Sequence, residues 1–318
     1  MLRQFTRSLS TSVAPSASSA ISTLKVTVNG AGSKSSPAGL AHVVASSAFL
    51  DTTTKSGLRL KREAELLGGE YSAEVTRDAL ILKATFLKES LPFFVNTLGA
   101  TLSEAAFKPH QVAEIGLPYA QFVSKQAYSC PKFKALEELH AVSFRSGLGK
   151  PLYYDGSKSY TSEDVAAFAK KAFLSENVSI EATGVEESAL AQFIADSPFS
   201  TLPTGNDVIA SAPKSYTGAE TRIRAAGKTA AAIGFPTTSA SSASELVNTL
   251  SAIESIGATE ANVLTYEGAS LVYFAVSGCA KTVTAAITEA AKSVKANSAG
   301  FNYVVVGDVD EVPLKAEL

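Results

Sequence analysis

The chain has 318 residues, which at roughly 150 residues per domain is enough for about two domains with buried cores. Apolar residues make up 46% of the chain and charged residues 18%, a composition typical of folded proteins and not of disordered ones. Lysine plus arginine total 28 and aspartate plus glutamate 30, so the formal net charge of −2 gives no support to a nucleic-acid binder or an electrostatic membrane binder.

The cysteines and the apolar runs narrow the class of protein further. Cys130 and Cys279 form no CxxC pair, which excludes a zinc ribbon or a thioredoxin-type site. We interpret them as two buried free thiols in a reducing compartment, and a disulfide between them stays open as the alternative. No apolar stretch reaches the roughly 18 residues that a membrane-spanning helix needs. Attachment to a membrane would therefore depend on partner chains.

The first 20 residues have the composition of a targeting segment. The first acidic residue is Asp51, whereas residues 1–20 are rich in serine and contain Arg3 and Arg7. A basic amphipathic helix rich in serine and arginine is typical of a mitochondrial presequence, and residues 1–20 have this composition. The tripeptide 7–9 followed by Ser10 resembles a matrix cleavage site, so we expect cleavage near residue 9 and a flexible lead up to residue 20. A disordered basic tail is the alternative.

The first two thirds of the chain alternate between strand and helix patterns. Strands are predicted over 24–28, 70–76, 79–86 and 178–183. Helices are predicted over 39–49, 57–67, 91–102, 109–128, 134–146, 161–172 and 185–195. Two local signals support these bounds, since Gly68-Gly69 favours a left-handed helix end and Thr161 with Asp164 resembles a capping box.

A punctuated stretch separates this region from the rest of the chain. Residues 197–219 contain three prolines and two glycines, and they form the predicted linker. Beyond it, strands are predicted over 221–225, 229–235, 263–266, 271–276 and 302–306, and helices over 245–256 and 281–294. The predicted domains are the targeting segment and lead over 1–20, an N-terminal domain over 21–196, the linker over 197–219 and a C-terminal domain over 220–318.

The order of elements indicates an internal repeat. A helix, a hairpin and a second helix occur in the first half, with the hairpin at 74–86, and the same order recurs about 190 residues later at 263–276. Chance agreement of common elements is the alternative. Two copies of one unit predict an α+β fold with two related domains, each a mostly antiparallel sheet with helices packed on it. The second domain, at 99 residues over 220–318, is shortened.

One helix carries part of a catalytic pattern. An inverted zinc-protease motif, HxxEH, places two histidines on one helix face within reach of a single zinc, and its glutamate takes the proton of the metal-bound water. Here His42 is present, but Ala45 stands at the glutamate position and Ser46 at the second histidine position. His110 and His140 show no ligand spacing with His42. The sequence therefore predicts no catalytic residues, no cofactor-binding residues and no metal site, with His42, Ala45 and Ser46 as vestigial motif positions.

The surroundings of this helix resemble the pitrilysin and mitochondrial processing peptidase family. The similar segments are GSK at 32–34, PAGLAH at 37–42, ELLGGE at 65–70, TRD at 76–78 and LHAVSFRSGLGKPL at 139–152. The resemblance runs from about Ser22 to the C-terminus, is denser in the first domain, and implies processing-peptidase-like domains. In the family a glutamate further along supplies the third zinc ligand, and this chain has Phe122 there. The aromatic pair Tyr153-Tyr154 beyond these segments predicts a packed loop.

The resemblance implies a non-catalytic structural subunit, because the family includes core subunits of a respiratory membrane complex that have lost the zinc ligands. It implies a peripheral position on the matrix side of the mitochondrial inner membrane. The implied partners are core protein one, cytochrome b, cytochrome c1, the Rieske iron–sulfur protein and small subunits. Hemes and an iron–sulfur cluster would be bound by those partners, and this chain would bind no cofactor.

Two other functions within the family stay open. The non-catalytic α-type subunit of the processing peptidase is expected to carry a glycine-rich loop in its second domain, and the corresponding segment 237–244 contains no glycine. An active zinc peptidase requires the ligands that are missing at Ala45, Ser46 and Phe122. The structural subunit is therefore the favoured interpretation.

Overall fold

The protein is described by a computed structural model over residues 10–14, 20–205, 213–237, 258–296 and 300–318. The chain divides into two units, the first built from residues 1–122 and 152–210 and the second from residues 123–151 and 211–318. The predicted presequence at 1–9 and the predicted helix at 245–256 lie outside the described residues.

The first unit is built around a five-stranded sheet, here called sheet 1. Its strands are β1 (Ser10–Ala14), β2 (Ile21–Asn29), β3 (Glu70–Val75), β4 (Ala79–Leu87) and β5 (Val178–Thr183). They lie in the order β1-β5-β2-β4-β3; β1 runs parallel to β5 and the other neighbours are antiparallel. β1 lies where a flexible lead is predicted, and no local pattern marks it because its partner β5 is about 170 residues away.

Helices cover one face of sheet 1 and bury the alternating apolar residues of its strands. The helices up to the second unit are α1 (Leu40–Ser47), α2 (Gly57–Leu66), α3 (Leu91–Ser103), α4 (Pro109–Gln111), a π-helical segment (Val112–Gly116) and α5 (Leu117–Tyr128). After α6 (Pro131–Phe144) come α7 (Ser162–Ala172) and α8 (Glu187–Ala195). Both hydrogen bonds of the predicted capping box at Thr161 and Asp164 are present.

The second unit repeats the strand order of the first. Sheet 2 contains β6 (Glu220–Arg224), β7 (Thr229–Thr237), β8 (Ala258–Tyr266), β9 (Ala269–Gly278) and β10 (Asn302–Gly307), and α9 (Ala280–Ala296) follows β9. The order is β6-β10-β7-β9-β8, again with one parallel pair, β6 with β10. The matching order supports the predicted repeat, and the two mixed sheets with helices confirm the predicted α+β fold class.

Sheet 2 is covered by helices on both faces. α9 packs on one face, and α6 packs on the other, where Leu139 contacts β7 at Gly234. Asn302 ties β10 to the same helix, donating to Ser143 Oγ at 2.9 Å. α6 therefore belongs to the second unit, although the predicted N-terminal domain includes it, because a helical pattern does not show which sheet the helix will contact.

The two units differ in length at one connection. Residues 88–177 join β4 to β5 and contain several helices, whereas residues 279–301 join β9 to β10 and contain α9. The shortening of the second unit is thus concentrated after β9.

Cys130 and Cys279 are free and exposed, so their predicted burial is wrong. Each lies directly before the start of a helix, α6 or α9, at the end of an element and not within a core. Among the described residues, no helix combines the length and the apolar character needed to cross a membrane.

Candidate functional site

The loop that leads into α1 is fixed against the β3–β4 turn. The backbone N–H of Ser33 donates to the Thr76 carbonyl at 3.1 Å, and the N–H of Lys34 donates to the Arg77 carbonyl at 2.9 Å. The Lys34 ammonium lies 3.0 Å from the Asp78 carboxylate. These contacts hold the start of the vestigial motif helix relative to the hairpin.

A glycine with a left-handed backbone conformation precedes α1 and lets an aromatic loop approach the start of the helix. Gly39 has φ of 78°, and no side chain caps the helix. A Cβ at this position would lie 2.8 Å from Tyr154 Cα, so any other residue would be strained and would push the loop away. Tyr160 Oη donates to the Ala38 carbonyl at 2.6 Å and closes the loop over the helix start.

His42 lies buried beneath this loop, with 5% of its surface exposed. The backbone N–H of Tyr154 donates to His42 Nδ1 at 3.1 Å, and the Tyr153 ring lies 4.7 Å from the imidazole, centroid to centroid. Burial lowers the pKa of His42 from its ordinary value of 6.5 to about 4. His42 is therefore neutral near pH 7, since desolvation disfavours the charged imidazolium.

The hydrogen bond from Tyr154 determines the chemistry of the imidazole. A neutral histidine that accepts at Nδ1 carries its proton on Nε2. A histidine that binds metal through Nε2 instead donates its Nδ1–H to an acceptor, which fixes the opposite tautomer. In this arrangement the Nδ1 lone pair is occupied and Nε2 is protonated, so neither nitrogen offers a lone pair to a metal ion.

The other motif positions hold no ligand side chains. Ala45 is buried and Ser46 is half-buried on α1, and Phe122 on α5 is 61% exposed. A methyl group and a phenyl ring can neither coordinate a metal nor transfer a proton. Within the described ranges, no group of three or more histidine, cysteine, aspartate or glutamate residues is placed to hold a metal ion. The assignment of His42, Ala45 and Ser46 as a vestigial site stays a prediction.

The end of α1 packs against the π-helical segment. Gly116 faces Ser47, and a Cβ on this glycine would overlap the serine hydroxyl. Ser47 Oγ is buried and has no hydrogen-bond partner within the described residues. Short π-helical segments are frequent at functional sites. Here the π-helical segment brings Gly116 against α1, the helix that carries His42.

The contact between His42 and the loop is the feature of the site that the sequence does not reveal. The pair Tyr153-Tyr154 predicts aromatic packing, but a backbone N–H donor has no side-chain signature. The other histidines lie elsewhere. His110 is exposed, and His140 in the second unit lies 2.7 Å from both the Leu136 carbonyl and Tyr266 Oη.

The helix and loop around His42 belong to a segment that matches a known family. Residues 11–156 match Insulinase (Peptidase family M16). The chain is similar to the mitochondrial cytochrome b-c1 complex subunit 2 of Debaryomyces hansenii, with 38% identity over 309 residues that cover 94% of this chain and 80% of the relative.

Two other fungal relatives carry the same name. The Saccharomyces cerevisiae protein is 42% identical over 222 residues, which cover 70% of this chain and 60% of the relative. The Schizosaccharomyces pombe protein is 31% identical over 310 residues, which cover 90% of this chain and 72% of the relative. The chain belongs to this family of cytochrome b-c1 complex subunit 2 proteins, whose peptidase-like domain is of the M16 type. The predicted resemblance to the peptidase family is confirmed.

Proposed function

We propose that this chain is a structural core subunit of mitochondrial respiratory complex III, which transfers electrons from ubiquinol to cytochrome c. In this role it serves the assembly and stability of the complex. The observation that carries the proposal is the 38% identity to a relative named as cytochrome b-c1 complex subunit 2, over 94% of this chain. The segments that resemble the fungal form of this subunit, also called core protein two, include KATFLKESLPFFVN at 83–96 and FNYVVVGDV at 301–309.

The chain acts without catalysis of its own. The support is the tautomer of His42, which the N–H of Tyr154 turns into a hydrogen-bond donor at Nε2. Ala45 and Ser46 stand where the family's catalytic glutamate and second histidine ligand are expected. A degenerate M16 site would need several substitutions at once to bind zinc, because removing one ligand alone already disrupts a three-ligand catalytic site.

The partners in this proposal are core protein one, cytochrome b, cytochrome c1, the Rieske iron–sulfur protein and the small subunits. The hemes and the iron–sulfur cluster are bound by those partners and not by this chain. The subunit lies on the matrix side of the inner membrane, and residues 1–9 are removed as a presequence. The family supports the location, and the basic, acid-free N-terminus supports the presequence.

Native separation of detergent-extracted mitochondria tests the assembly. The chain should migrate with cytochrome b and the Rieske protein. Migration as a heterodimer that cleaves presequences would overturn the proposal and favour the α-type peptidase subunit. The segment expected to differ in that subunit, 237–244, lies almost entirely outside the described residues.

Metal analysis tests the inactive site separately. The purified chain should contain no stoichiometric zinc, and His42→Gln should leave the zinc content unchanged. Zinc that is present at one ion per chain and lost in His42→Gln would show that His42 is a ligand after all.

A further inference from the structure

In the described part of the chain, one face of sheet 1 stays accessible to solvent. β2, β4 and β5 place Lys25, Lys83 and Glu181 side by side on this face. The side chains of Lys25 and Glu181 are 40% and 53% exposed, and Lys83 is exposed as well. We call this surface the open face of sheet 1.

The corresponding face of sheet 2 is covered by a helix. α6 packs there, and the chain supplies it from the connection between β4 and β5. In the second unit the equivalent connection, residues 279–301 between β9 and β10, is nearly filled by α9, which packs on the opposite face of sheet 2. The repeat therefore has a covering helix for sheet 2, whereas the connection that would supply its counterpart for sheet 1 is too short to contain one.

The open face also carries aliphatic side chains at one end. Ile21 and Leu87 lie opposite each other in the β2–β4 ladder and are 55% and 46% exposed. A cleft of about 330 Å³ opens beside them and is lined in part by Phe86. Thr23 and Thr27 continue the same face along β2. Adjacent exposed aliphatic side chains beside a cleft are typical of a surface that contacts another protein.

The charges on the open face are incompletely paired. Lys25 lies directly opposite Lys83 in the ladder, and its ammonium is 3.0 Å from the Glu181 carboxylate. No carboxylate of the described residues lies within ion-pair distance of Lys83. Like charges directly opposite each other destabilise a sheet. An acidic side chain supplied by another chain would relieve this repulsion.

The backbone of the sheet decides between a helix and a strand as the occupant. β2, β4 and β5 each have a neighbouring strand on both sides, so their backbone groups are already paired. An added strand would find no backbone partner on this face, whereas a helix satisfies its own backbone hydrogen bonds.

We propose that the open face of sheet 1 binds an amphipathic helix of another subunit of the complex, in the place that α6 takes on sheet 2. This helix presents an aspartate or glutamate to Lys83 and packs apolar side chains on Ile21 and Leu87. The inference rests on the proposed function, because it takes the partner from the assembled complex.

Chemical labelling of lysines tests whether the open face is covered. Lys83 should be acetylated at least about fivefold more slowly in the detergent-solubilised complex than in the purified free chain, since the centre of an interface excludes water. Mass spectrometry measures the two rates. A zero-length carbodiimide crosslinker should join Lys83 to an aspartate or glutamate in a helical segment of another subunit.

Charge reversal tests the chemistry of the partner. Lys83→Glu places opposite charges across the ladder at Lys25, so the free chain should be no less stable in urea than the wild type. Co-expressed with the wild type, it should nevertheless enter the complex at least about tenfold less, because the acidic side chain of the partner would face a second acid. Lys171→Glu makes the same charge change on the exposed side of α7 and should assemble like the wild type.

The outcomes separate this inference from the proposed function. A chain that migrates with cytochrome b, but whose Lys83 is acetylated equally fast in the complex and alone, would overturn the inference and leave the proposed function standing. Crosslinks of Lys83 to carboxylates of this chain alone, or normal assembly of Lys83→Glu, would also overturn the inference. A chain that never enters the complex would overturn both.

Discussion

Sheets 1 and 2 share a strand order, but helices cover both faces of sheet 2 and only one face of sheet 1. In sheet 2, Ala232 of β7 lies between Ala275 of β9 and Val304 of β10, and all three are buried. They belong to the cluster that includes Leu139 of α6. Because helices cover both faces, β10 is buried along its entire length and β7 along all but its last two residues.

The corresponding face of sheet 1 carries charged residues. Lys25 of β2 lies between Lys83 of β4 and Glu181 of β5. The Lys25 ammonium lies 3.0 Å from the Glu181 carboxylate, and the two side chains are 40% and 53% exposed. Burial alternates along β2, as in a sheet with one wet face.

The difference shows that topology alone does not determine the pattern of apolar and polar residues along a strand. Equivalent strands in the two units read as continuous apolar runs or as strict alternation according to whether a helix covers the second face. A substitution should therefore have very different effects in the two sheets, even at matching positions of the ladder.

Ala232→Lys should have the largest effect. It places an ammonium group among the buried residues Ala275 and Val304 and against the apolar face of α6, and should destabilise the second unit by more than about 4 kcal/mol. Hydrogen exchange of β7 and β10 should report the loss of protection. Thr23→Lys, on the half-exposed face of sheet 1, is the control and should cost within about 1 kcal/mol. Similar losses in both variants would contradict the comparison.

Leu139→Ala tests the covering helix directly. Leu139 is fully buried against sheet 2, and its removal should cost about 2–5 kcal/mol in the free energy of unfolding. Chemical denaturation followed by hydrogen exchange should show α6 and sheet 2 losing protection together. Leu66→Ala on α2, where the side chain is 85% exposed, should change stability by less than about 0.5 kcal/mol. A small effect of Leu139→Ala would mean that α6 contributes little to sheet 2.

The buried His42 should make the first unit sensitive to acid. In the folded chain His42 stays neutral down to about pH 4, whereas in the unfolded chain its imidazole takes up a proton near pH 6.5. The contribution of His42 to stability is therefore full above pH 6.5 and is lost as the pH falls toward 4. Between pH 7 and 4.5 the wild type should lose about 2 kcal/mol more than His42→Gln.

Denaturation curves at the two pH values measure this difference. His110→Gln, which changes an exposed histidine, serves as the control and should follow the wild type. An identical pH dependence in His42→Gln and the wild type would show that the imidazole is not buried in the neutral form.

The smallest effect is expected for the ion pair on the open face. Lys25 and Glu181 are both accessible to solvent, and such pairs contribute about 0–1 kcal/mol. A double-mutant cycle with Lys25→Ala and Glu181→Ala measures the coupling between the two side chains. A coupling well above that range would mean that this face is shielded from water and resembles its counterpart in sheet 2.

Local patterns predicted most elements of the fold. The hairpins predicted at 74–86 and 263–276 and the capping box at Thr161 each depend on neighbouring residues, and each lies where the sequence indicates. Two assignments depended on distant partners and were not predictable. β1 pairs far along the chain, and the sheet on which α6 packs is chosen by side chains that come some 90 residues or more after it.

The candidate site likewise has one part that the sequence predicts and one part that it does not. The absence of ligand side chains at Ala45 and Ser46 is visible in the sequence. The donor that faces His42 is a backbone amide brought in by a loop more than 100 residues away, and its approach depends on Gly39. Such a contact has no residue type of its own, so only the folded chain shows it.

The placement of α6 means that the polypeptide passes between the two units three times. It leaves the first unit after residue 122, returns at residue 152 and leaves again after residue 210. A single nick in the 197–219 segment would consequently not release two independent modules, because the fragment that keeps sheet 1 would carry away the helix that sheet 2 needs. Neither half can be exchanged, expressed or inherited as a separate building block without exposing an apolar face.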